Sequence, residues 1–175
     1  MKRRIGKIKK ILLAIVVCMM LLPMAVAPVA AKTIKTEFTG TSTYQEEISM
    51  ERYWFPDGDR VHIRGLVETY WFETTDDRLT GLSHQTSNCN FRFSEDPFVQ
   101  IYGPIWGKTI LENDGGYWEG QSVGKRTVDG FNYHHEVLHG HGGYEGLMAK
   151  IYYVREITDP FGPMQAYGVI LEPDT

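Results

Sequence analysis

Residues 139–147 read HGHGGYEGL and place His139, His141 and Glu145 in the order H-x-H-x-x-x-E. Side chains two apart on a strand share a face, so two neutral imidazoles and a following carboxylate have the types and spacing to hold a transition metal. The glycines between them argue the other way. Gly140, Gly142 and Gly143 loosen the backbone that would have to preorganise the ligands. With Gly146 they are the residues a tight turn or bulge requires. The segment is therefore read as a structural turn, and no metal is expected.

Glu119 is the other acid with a chemical reading. In YWEGQ it shares a strand face with Tyr117 and Gln121, and inside a polar cavity its pKa would rise, making it an acid catalyst. Tyr117, Glu119, His139, His141, Tyr144 and Glu145 form the set expected to touch a ligand. Cys89, in SNCNFRF, reads as a buried small hydrophobe. The paired acids Glu46/Glu47, Asp57/Asp59 and Asp76/Asp77 fall in or near expected turns, where carboxylates serve hydration and local backbone bonding. The sequence contains no nucleophile elbow, phosphate loop or calcium loop.

Several strands must position these residues. From Lys32 onward glycine or proline interrupts nearly every window, and the runs between are rich in Tyr, Trp, Phe, Val, Ile and Thr, a composition suited to a pleated, half-buried surface. A first strand is expected over about residues 33–44. YWFPDGDRVHIRG signals a hairpin turning at Pro56–Asp59, its second arm continuing to Glu73 with Val61, Ile63 and Leu66 on one face. LTGLSHQTSNCNFRF gives a strand polar enough to border a cavity. YGPIWGKTILE, YWEGQSVGK, FNYHHEVLH, LMAKIYYVREI and QAYGVILEP follow, separated by short turns. Eight or nine short strands with short connections point to an all-β antiparallel up-and-down barrel, which removes exposed sheet edges; a two-sheet sandwich is the alternative.

The chain opens with MKRRIGKIKK and the apolar run ILLAIVVCMMLL, followed by small residues. This is the pattern of a secretory signal peptide, with cleavage expected after Ala31 and a single domain at 32–175. Loss of residues 1–31 would remove six of the 18 basic residues and none of the 22 acidic ones, leaving 12 against 22, a balance of minus ten. Such a charge disfavours nucleic acid and anionic membrane surfaces. Cys89 would then be the only cysteine, so no disulfide is available and stability must come from the core. The aromatic triplets Tyr53–Phe55 and Tyr70–Phe72 put rings on both sheet faces, where a flat ligand or a second copy of the chain could cover them.

Two family resemblances bear on the glycine segment. H-x-H-x-x-x-E is also the first ligand motif of the cupin barrels, but no histidine follows His141, and Tyr133 and Tyr152 occupy the places of the framing glycines. HGGYEGLMAKIYY, with YGPIWGKTIL and GGYWEG before it, resembles the allene oxide cyclase-like and dirigent-like barrels over about residues 100–156. That resemblance implies an eight-stranded antiparallel barrel with a central cavity, secreted, acting on small hydrophobic molecules without a cofactor. The reading that follows is a secreted barrel holding a small apolar or aromatic ligand, with a homo-oligomer as a further expectation. An isomerase or cyclase on the same scaffold is the alternative, and a cupin-like enzyme using His139, His141 and Glu145 ranks below both.

Overall fold

The computed structural model describes residues 32–56, 58–93, 95, 101–156 and 162–174. The signal-peptide reading of residues 1–31 lies outside them. Nine strands form one antiparallel sheet: β1 (Thr33–Ser49), β2 (Arg52–Trp54), β3 (Arg60–Thr74), β4 (Gly81–Phe93), β5 (Ile101–Asn113), β6 (Gly116–Arg126), β7 (Phe131–Gly142), β8 (Met148–Glu156) and β9 (Met164–Pro173). From β3 each strand pairs with the next in sequence, and β9 pairs with β1. Pairing of β1 with β3, from Gly40 opposite Thr74 to Ser49 opposite Val67, closes an eight-stranded ring. The fold is thus the up-and-down barrel and not the two-sheet sandwich.

β1 runs further than its expected end at residue 44, because Glu46 and Glu47 pair with Thr69 and Glu68 of β3 and so lie in a strand, not a turn. β2 pairs with His62–Arg64, the stretch of β3 that β1 leaves free. Arg64 pins this arm. Its guanidinium lies 5.2 Å from the Trp54 ring and 5.0 Å from the Trp106 ring, and donates to the carbonyls of Ile63 and Cys89 and to Asn90 Oδ1. Part of the aromatic density is therefore used in clamping a hairpin to the barrel wall.

One bulge sets the phase of β3. Arg64 and Gly65 together oppose Asn88 alone, with Gly65 at φ +60° and its N–H donating to Asn88 Oδ1. Such a bulge inserts one residue and flips the alternation beyond it. Ile63 and Leu66 both face inward as a result, and Glu68, Tyr70 and Phe72 follow Leu66 inside. Gly107 and Gly120 also face inward, where an added Cβ would collide with the carbonyls of Thr86 and Val137 on the neighbouring strands.

At the end where β1 begins and β9 finishes, the interior is a packed apolar core of Phe38, Phe72, Leu79, Leu111, Trp118, Leu138, Ile151 and Ile170. Trp118 is fully buried and its indole N–H donates to the Arg78 carbonyl, in the 3-10 turn Asp77–Leu79, at 2.8 Å. The glycine segment seals this end. Gly142 (φ +68°) and Gly146 (φ +84°) adopt the left-handed backbone that glycine tolerates. Their turn lays Tyr144 flat on Trp118, with centroids 5.1 Å apart, and Tyr144 donates to Asn113 Oδ1 at 2.6 Å. The Asn113 amide nitrogen in turn donates to the carbonyls of Arg78 and Thr80, both at 3.1 Å.

Candidate functional site

Towards the opposite end the inward residues change character. β7 places Asn132, His134 and Glu136 inside at alternate positions, β3 contributes Glu68 and Tyr70, and β4 contributes Gln85 and Ser87. Arg126 and Arg155 enter from the last turns of β6 and β8. A cavity of about 190 Å³ lies among them. Ile63, Leu66, Phe91, Ile101, Ile105 and Met164 form its apolar wall, and Glu68, Tyr70, Arg126, Asn132, His134 and Arg155 its polar one.

One layer below is the cavity floor. Glu136 is fully buried; its Oε1 accepts from the Thr109 hydroxyl at 2.6 Å and from Gln85 Nε2 at 3.2 Å, and its Oε2 accepts from the Tyr153 hydroxyl at 2.9 Å. Burial pushes its pKa up to about 7 against the opposing pull of the hydrogen bonds from Thr109 and Tyr153. Desolvation of the ionised form outweighs three donors here. Glu68 is also raised, mainly by burial and partly offset by the hydrogen bond from Tyr70. His134 goes the other way, to about 4, through burial and then the charges of Arg155 and Arg126. Arg126 is itself lowered by burial and by Arg155. The interior can therefore hold a proton on an acid near neutrality, keep an imidazole uncharged, and present two guanidinium groups.

The residues singled out from sequence sit elsewhere. Tyr117 and Glu119 lie on the outer face of β6, because Trp118 takes the inward phase and its neighbours must point out. The expectation that Glu119 enters the cavity does not hold. His139 and His141 are likewise outside on β7, His141 stacked on Tyr117 with centroids 4.6 Å apart and its Nδ1 3.9 Å from Glu145 Oε2. Among the described residues no three His, Cys, Asp or Glu side chains gather in a metal-binding arrangement. Tyr144, Gly140, Gly142, Gly143 and Gly146 build the closed end, far along the barrel from the cavity. At Gly140 a Cβ would run into the Tyr144 carbonyl, and at Gly143 into that of Gly115.

Cys89 is buried beside the cavity, where burial pushes its thiol up to about 12. Sequence reasoning missed Glu68, Arg126, His134, Glu136 and Arg155. The signal for Glu68 was present, since a glycine inside a strand marks a bulge and Leu66 then fixes the phase. On the outer wall His135, Tyr152 and Tyr167 form a stacked row across β7, β8 and β9, with centroids 4.6 and 5.5 Å apart. The depressions over this row are wider than the cavity but open to solvent, and they gather no buried charge. No protein-family model, curated protein or solved structure matches the chain.

Proposed function

We propose that the chain is an extracytoplasmic binding barrel that takes a small, largely apolar or aromatic ligand into its interior cavity, without a cofactor. The observation that carries this reading is the interior cavity, walled by aliphatic and aromatic side chains on one side and by a few convergent polar groups on the other. Binding sites for small molecules have that construction: apolar area supplies affinity and a few fixed polar groups supply orientation. The packed apolar end supports it too, since it holds the fold without needing the cavity filled.

Native mass spectrometry of the purified protein, followed by denaturation and identification of what is released, tests the reading. The expected result is a bound small molecule at one per chain, lost when Ile105→Trp fills the cavity. A protein that carries nothing and gives no shift with any small aromatic probe overturns it. N-terminal sequencing of the exported protein, expected to begin at Lys32, checks the location.

The isomerase or cyclase alternative is supported by Glu68, a cavity acid with a raised pKa and a hydrogen-bonded tyrosine beside it. Turnover lost in Glu68→Gln with ligand binding retained would favour catalysis over storage.

A further inference from the structure

Arg126, Asn132 and Arg155 stand in one row across three strands: Arg126 pairs with Asn132 in the β6–β7 register, and Asn132 pairs with Arg155 in the β7–β8 register. All three line the cavity. Resting on the binding reading above, we infer that the ligand is a small carboxylic acid whose single carboxylate is held between Arg126 and Arg155 while its apolar body lies against Ile105 and Phe91.

Three observations support this. First, the row is unfinished. The Nε atoms of both arginines and the Oδ1 of Asn132, whose residue is only 3% exposed, are buried and have no hydrogen-bond partner among the described residues. Buried polar groups are ordinarily paired, and a cluster of three that is not marks a place for something to bind. Second, the charges do not balance. Glu68 is the only acid among the described residues lining the cavity, against two guanidinium groups, and Glu136 in the floor beneath is pushed towards its neutral form by burial, so positive charge remains. A monoanion is its complement, because an uncompensated buried charge is costly. Third, both guanidinium groups are held in place by contacts that leave them donors to spare. Arg126 lies 5.2 Å over the Phe91 ring, and Arg155 donates through Nη1 to the Gly162 carbonyl at 3.1 Å. The planar fork of arginine matches a carboxylate better than any other side chain does. His134 in the same wall is kept neutral by burial and by these two charges, so the arginines carry the anion preference.

The test is titration of the purified protein with benzoate and, separately, with benzyl alcohol, followed by NMR shifts of the indole and methyl signals. Benzoate is expected to bind about ten- to a hundredfold more tightly, the worth of hydrogen bonds to a charged group. Arg126→Gln and Arg155→Gln are each expected to erase that preference, so that within each variant benzoate binds no more tightly than benzyl alcohol. Equal binding of acid and alcohol overturns the carboxylate inference and leaves the cavity reading standing. So does an acid preference that persists in both variants. Binding of neither probe removes the cavity reading itself. Where a glutamine variant fails to fold, Arg155→Lys, which keeps the charge and loses the fork, is expected to lower the preference; an unchanged preference in a folded Lys variant counts against the two-pronged grip.

Discussion

Two halves of one barrel face inward with opposite chemistry. Towards the glycine turn, Phe72, Leu111, Trp118, Leu138 and Ile151 interdigitate, and the buried Trp118 N–H is hydrogen-bonded. Past the Glu136 layer, Glu68, Arg126, His134 and Arg155 surround empty volume. The strands are the same and run through both halves, so the difference lies in side chains alone. The apolar half is free to hold the fold, which releases the other half from close packing and lets it keep buried charges. Trp118→Ala puts this division to its hardest test. Removing a fully buried indole, its hydrogen bond to Arg78 and its stack on Tyr144 should cost about 4 kcal/mol in urea unfolding. Arg126→Met, at the other end, should be neutral or stabilising, because it removes a desolvated charge without a full complement. Equal losses in the two would dissolve the division.

Glu136 and His134 sharpen the contrast through pH. The folded-state pKa of Glu136, about 7, stands above its ordinary 4.5, so the folded protein keeps a proton that the unfolded chain releases. Its contribution is fully present below pH 4.5 and is lost as pH rises to 7, a change of about 3 kcal/mol. His134 is depressed from 6.5 to about 4, so its contribution is present above pH 6.5 and is lost as pH falls through 4. It acts over nearly the same window with the opposite sign and a shift of similar size, so the two largely offset each other. Glu68, raised as well, adds to the Glu136 direction. Stability of the unaltered protein should therefore decline modestly from pH 4.5 to 7. Glu136→Gln should make the slope shallower or reverse it, and His134→Gln should steepen it. Arg126, Arg155, Tyr70 and Tyr153 face the same space, and burial pushes both tyrosines up, so that they stay neutral across this range. A slope that neither substitution moves would deny the pair its place inside.

Asn113 offers a smaller perturbation of the closed end. Asn113→Ala removes the acceptor for Tyr144 and the donor to two turn carbonyls, and about 2 kcal/mol should be lost. The effect should appear in thermal melts while leaving ligand binding at the far end unchanged.

The strand count, their order and the barrel were legible because turn residues punctuate runs of β-formers at short, regular intervals. Which face of each strand points inward was legible only where the interior is apolar. In β3 the phase of Val61, Ile63 and Leu66 is carried by hydrophobicity, and it is right. In β7 the inward residues are Asn132, His134 and Glu136 and the outward ones Phe131, Tyr133 and His135, so hydrophobic alternation runs backwards through the cavity half. β6 offered Tyr117 and Trp118 as equal candidates, and only the packing of Trp118 onto the Asp77–Leu79 turn, far away in sequence, decides between them. A polar cavity thus hides from the rule that finds a core, and with it hid the arginines and the buried glutamate.

The outer histidines give the smallest expected effect and a direct check on that inversion. His139, His141 and Glu145 lie on the solvent side of β7 and its turn, and the His141–Glu145 pair is long at 3.9 Å with the glutamate largely exposed. Exposed pairs of this kind contribute between about 0 and 1 kcal/mol. Simultaneous alanine substitution of the three should lower the stability read from urea unfolding by no more than about 1 kcal/mol, and should leave benzoate affinity untouched. Added zinc should leave the melting temperature of both proteins where it was, because two outward imidazoles on β7 and an exposed carboxylate in the turn do not make a preorganised ligand set. A zinc-dependent rise in the unaltered protein, abolished by the triple substitution, would move the working end of the barrel to the glycine turn.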